Sequence, residues 1–133
     1  MLQLFLVLFL AAPSSAREID RTAVLVNGDV VLRSDINAFR KNFALRRQID
    51  PFIQVLSFAG DAKDGEALDY MIQERLVIQK YPPTEEEIEE EINSVQRSNG
   101  IDRDHLKELL RSQNVAFEDY RRLIGVSVAK RKL

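Results

Sequence analysis

Two kinds of apolar pattern divide this chain. From Leu2 to Ala12 the residues are almost unbroken Leu, Val, Phe and Ala, with Gln3 the polar exception. Past Arg21 the apolar positions become periodic. Thr22 to Val26 and Val30 to Leu32 are β-branched and apolar, and Asn27-Gly28 lies between them. Asn-Gly suits a type I′ turn, whose two central residues both need positive φ, so the pattern predicts a β-hairpin. A hairpin is marginal alone and must pack against something else.

The rest of the chain reads as helix. Ser34 suits an N-cap for a helix from about Asp35, with Ile36, Phe39 and Phe43 on one face. Asp50-Pro51 is a second start signal, followed by the apolar run Phe52, Ile53, Val55, Leu56 and Phe58. Gly60 to Gly65 reads as a polar loop. Glu66 to Lys80 is amphipathic, with Leu68, Met71, Ile72, Leu76 and Gln79 along the expected buried stripe, and Tyr81-Pro82-Pro83 stops it. Thr84 and Glu87 form a capping box for a helix that buries Ile88, Ile92 and Val95 and stops at Asn99-Gly100. Asp102 caps a helix carrying Leu106, Leu109 and Leu110, ending near Asn114. The last helix starts near Phe117 and carries Tyr120, Leu123, Ile124 and Val128. Lys130 to Leu133 is still good helix sequence, which suggests either that the chain continues in the intact protein or that its last helix frays into solvent.

The apolar start is too short to span a bilayer, which takes about 20 apolar residues. Pro13 ends it, and Ser14-Ser15-Ala16 places small residues where a signal peptidase cuts. Residues 1–16 are therefore expected to be a cleaved export signal, and residues 17–133 one domain with no stable membrane insertion. The chain carries no Lys or Arg ahead of the apolar run and no cysteine anywhere. Without cysteine there is no disulfide, no thiolate metal ligand and no lipid attachment at a leader cysteine. A net charge of −2 gives no electrostatic footprint for nucleic acid or an anionic membrane.

Candidate chemistry is sparse. His105 is the one histidine, and no Gly-x-Ser-x-Gly turn presents a serine to it. It reads as a surface residue in the first turn of a capped helix. The glutamates at 85, 86, 87, 89, 90 and 91 lack the alternating, Gly-containing spacing of a calcium loop. They fit a helix start, where negative charge complements the macrodipole. The last two helices resemble a helix-turn-helix in outline, with Arg121, Arg122, Lys130, Arg131 and Lys132 on the second. Export and net charge argue against DNA as the partner. No catalytic residue, metal site or cofactor is expected. Phe39, Phe43, Phe52, Ile53, Leu56 and Phe58 exceed what one short helix pair needs for a buried stripe. They read either as core or, in part, as the lining of a peptide-binding groove.

The order of these motifs is similar to the N-terminal domain of the SurA family, periplasmic chaperones of outer-membrane proteins. Ile19-Asp20-Arg21, the Val26-Asn27-Gly28 hairpin, Ser34-Asp35, LDYMIQERLVIQK from Leu68, TEEEI from Thr84, and Phe117-Glu118-Asp119-Tyr120-Arg121 carry the resemblance over essentially all of residues 18–133. Ala116 departs from it, standing where a Ser or Thr cap often precedes Phe117, at a cost of about 1 kcal/mol. Asp50 to Gly65 does not align. The family's parvulin-type prolyl isomerase domains and its returning C-terminal segment do not occur in this chain. The resemblance implies a mainly α domain of five to six helices with a short N-terminal β-hairpin. It further implies an ATP-independent periplasmic chaperone domain that holds unfolded outer-membrane polypeptides. One alternative is the non-catalytic N-terminal portion of a peptidyl-prolyl isomerase, with a parvulin domain in cis. Another is an exported adaptor with one fixed protein partner, engaged through the hairpin edge.

Overall fold

The computed structural model describes residues 21–50, 53 and 64–133. Its elements run β1 (Thr22–Val26), β2 (Asp29–Leu32), α1 (Arg33–Lys41), α2 (Phe43–Ile49), α3 (Asp64–Lys80), α4 (Glu85–Asn99), α5 (Arg103–Ser112) and α6 (Phe117–Lys130). The protein is mainly helical, with six helices among the described residues and a short N-terminal antiparallel hairpin. The expected leader, residues 1–16, lies outside the described residues, as do Phe52, Leu56 and Phe58.

Asn27 and Gly28 have φ of 48° and 91°, which places both central turn residues in the positive region that a type I′ turn needs. The turn sets the register, with Val26 opposite Asp29 and Leu25 opposite Val30. Val26 and Val31 therefore point into the core, while Leu25 and Val30 point out.

Helix α1 starts one residue before the expected cap. Leu32 is the N-cap, and its N–H donates to the Asp35 carboxylate at 2.9 Å, so Asp35 rather than Ser34 supplies the capping group. Asn42, with φ −96° and ψ 12°, breaks what the periodicity reads as one helix and separates α1 from α2. Asp50 is the C-cap of α2. Thr84 and Glu87 form the expected reciprocal box, Asp102 accepts the His105 N–H at 2.8 Å, and Gly100 closes α4 in the left-handed region. Ala116 has the extended backbone of a cap but no side-chain oxygen to offer. Helix α6 ends at Lys130, short of the expected continuation.

Among the described residues, two apolar clusters share the work of burial. The first joins the hairpin, α1 and α3 through Val31, Phe39, Ala67 and Met71, and includes Ile53. The second joins α4, α5 and α6 through Ile88, Ile92, Leu106, Leu110, Leu123 and Ile124. Full burial of each such side chain is worth about 1.5–3 kcal/mol. Helices α4 and α6 approach closely at Gly125, where an added Cβ would lie 3.1 Å from Ile88 Cδ1. No helix among the described residues is long and apolar enough to cross a membrane.

Candidate functional site

Helix α3 presents an unexpected face inward. Ala67, Tyr70, Met71 and Glu74 are buried, whereas Leu76, expected inside, is 39 % exposed. Leu68 and Ile72 are partly buried against the first cluster. Gln79 leaves the apolar stripe for the hairpin turn, donating from Nε2 to the Val26 carbonyl at 3.0 Å and to Asp29 at 3.1 Å.

Tyr70 and Glu74 are buried because charges from α2 and α6 meet them. Arg46 binds Glu74 through two nitrogens, at 2.8 and 3.2 Å. Lys130 Nζ donates to Asp50 at 2.5 Å, to Glu74 at 2.8 Å and to the Tyr70 hydroxyl at 2.8 Å. The Tyr70 hydroxyl donates to Asp50 at 2.6 Å. Two cations thus face two carboxylates, and every charge has a hydrogen-bonded partner, the condition under which charges survive burial. Burial, then the Asp50 bond and the nearby carboxylates, push the Tyr70 phenol far above its ordinary value of 10.0. The cluster is sealed, with Lys130, Asp50 and Glu74 side chains only 5 %, 4 % and 8 % exposed. Its ion pairs tie α2, α3 and α6 to one another.

A cleft of about 110 Å³ lies between α1, α3 and α6, beside this cluster. Phe39, Met71, Ile78, Leu123 and Val126 supply its apolar lining, and Arg46 and Glu74 also line it. The Arg46 guanidinium lies 4.6 Å from the Phe39 ring centroid, and its Nε has no hydrogen-bond partner. Polar lining comes from Asp35, Asn42, Arg75, Asp119 and Arg122. These charges pair loosely among themselves, Arg75 with Asp35 at 3.7 Å and Arg122 with Asp119 at 3.4 Å.

Of the predicted groove residues that are described, Phe39 lines this cleft yet is only 1 % exposed. Its ring packs against Phe43 and Tyr70 at centroid distances of 5.9 and 5.6 Å. Phe43 is partly buried against the first cluster, and Ile53, 2 % exposed, is part of it. Phe52, Leu56 and Phe58 lie outside the described residues. The remaining apolar lining escaped sequence reasoning as a site, because Met71, Leu123 and their neighbours read simply as core stripes. The i,i+7 spacing of Met71 and Ile78, opposite the i,i+3 pair Leu123 and Val126, is the signal that could have placed them on facing walls.

The other candidates resolve into structure. The glutamate run forms an ion-paired belt: Glu85 and Glu89 with Arg121, Glu89 with Arg103, Glu91 with Arg131, Glu87 with Lys132 and Glu90 with Arg97. Lys132, followed by the Thr84 backbone N–H, holds the Glu87 carboxyl below its ordinary range. Each of the five basic residues of the last helix and tail therefore meets a carboxylate, Lys130 in the buried cluster and Arg122 at the cleft. His105 is exposed. Among the described residues, no group of three or more His, Asp or Glu side chains is disposed to hold a metal ion. Leu25 and Val30, 63 % and 42 % exposed, form an apolar cross-strand pair on the outer face of the hairpin.

Comparison with known protein families, curated proteins and solved structures finds no match for this chain.

Proposed function

We propose that this chain is the chaperone domain of an exported, periplasmic protein of the SurA type, which holds unfolded outer-membrane polypeptides without ATP and assists their assembly. The observation that carries this reading is the cleft between α1, α3 and α6, with apolar walls and charges already paired with each other. At about 110 Å³ it is well below the roughly 300–1,000 Å³ of small-molecule sites, and it suits one side chain of a polypeptide. Contacts of that size are weak singly, and ordering a flexible client costs conformational entropy, so capture is transient. The export signal and the order of motifs support the compartment and the client class. Under the alternative reading, in which a parvulin domain stands in cis, isomerase activity would belong to that domain.

The test is breadth of protection. Several unrelated outer-membrane β-barrel proteins are diluted from denaturant with and without the domain, and their light scattering is followed. Slower aggregation of most of them is expected. No effect on any overturns the reading. Protection of a single partner favours the adaptor reading instead, which the exposed Leu25–Val30 pair supports, because an edge strand with an apolar outer pair can accept an added strand.

A further inference from the structure

Size and charge at the cleft define the side chain that it takes. We infer that the cleft between α1, α3 and α6 receives one branched aliphatic side chain, valine or leucine, from an extended and locally uncharged polypeptide segment. The inference rests on the chaperone reading and narrows its client.

A cavity of roughly 150 Å³ lined by apolar side chains takes up a benzene-sized ring. The cleft, at about 110 Å³, is smaller. An isobutyl group has four carbons where a phenyl ring has six, so leucine or valine fits where phenylalanine protrudes and tryptophan is excluded. The walls match this occupant, since Met71, Ile78, Leu123 and Val126 line the cleft with aliphatic or thioether groups, while the buried Phe39 ring backs them. The electrostatics agree. Asp35 pairs with Arg75 across α1 and α3, and Asp119 pairs with Arg122 on α6. These pairs cancel locally, so a charged side chain gains no counter-ion and loses its hydration on entering. Asn42 and the carboxylates remain able to bond the backbone of a segment lying across the opening.

Ile78 allows the cleft to be resized without emptying the core, because it lines the cleft and is only partly buried. The experiment measures fluorescence anisotropy for nine-residue peptides of a Ser/Thr host, with Gly, Val, Leu, Phe, Trp or Asp at the central position. Val and Leu are expected to bind about tenfold tighter than Phe, Trp and Asp, the discrimination that one or two methylenes earn in an apolar pocket. Ile78→Ala should move the optimum to Phe, and Ile78→Trp should lower Leu binding about tenfold. Circular dichroism confirms that both variants fold, and the unmodified protein alone suffices to test the size preference. A flat series, a preference for Phe or Trp in the unmodified protein, or an optimum unmoved by Ile78→Ala overturns the inference. If aggregation is still slowed in that event, the chaperone reading stands and only the side-chain assignment fails. If aggregation is not slowed either, both fall.

Discussion

At Lys130 one ammonium meets three acceptors, from Asp50, Tyr70 and Glu74, in a region almost closed to water. Removing it takes a buried cation from both Asp50 and Glu74, and of these two Glu74 still has the Arg46 guanidinium beside it. Losing one partner of a buried ion pair typically costs about 3–5 kcal/mol. Lys130→Met should lower the unfolding free energy by that amount, read as a lower urea midpoint at unchanged slope, and the double variant Lys130→Met/Asp50→Asn should recover part of the loss. Tyr70 makes a separate prediction with pH. Its folded-state pKa lies above the ordinary 10.0, so above about pH 10 the unfolded chain loses a proton that the folded chain keeps. The contribution is fully present below that pH and is lost as pH rises through the folded value. Tyr120 is raised as well, chiefly by burial, and acts in the same sense. Urea titrations from about pH 9 to 11.5 should show stability falling, and Tyr70→Phe should flatten the slope without abolishing it.

Helix α6 begins without a side-chain cap. Ala116 is exposed, has φ −71° and ψ 142°, and stands three residues before Asp119. Ala116→Ser puts a hydroxyl where it can accept an N–H of the first turn, and should stabilise the protein by about 1 kcal/mol, read as a higher Tm. A fall in Tm would mean that this helix start is constrained by something other than its cap. Capping is also the part of the fold most legible in the sequence. Thr84 with Glu87, Asp102, Gly100 and the Asn27-Gly28 turn act locally, through residues at most five positions apart, so short-range chemistry settles them. The face of α3 was not legible. Tyr70 and Glu74 carry polar groups, and their burial depends on Arg46, Asp50 and Lys130, up to 60 residues away. Asp50 before Pro51 reads as a helix start, and Lys130 reads as a solvated tail. Each takes its role from the other, 80 residues apart. The cleft was illegible for the same reason. Its walls come from three helices, and within each helix its residues look like ordinary core.

Across the whole molecule, α6 is the element that joins the second apolar cluster to the ionic cluster and walls one side of the cleft. It packs against α2, α3, α4 and α5, and nearly every residue from Leu123 to Lys130 is buried. The hairpin, α1 and α3 share local contacts, but they meet the second cluster chiefly by way of α6. This has a consequence for how the protein comes into being. Chains are synthesised from the N-terminus, and one that passes through a membrane pore unfolded emerges in the same order. Until the codons for Leu123 to Lys130 have been read, Asp50 and Glu74 lack the Lys130 ammonium, and α2, α3, α4 and α5 lack the helix they all pack against. Completion of the packing around α3 is therefore expected only once α6 has arrived, a built-in delay. Limited proteolysis of ribosome-bound chains of increasing length should find protection of α3 arising in one step once Lys130 has cleared the tunnel, and gradual protection at shorter lengths would refute the delay.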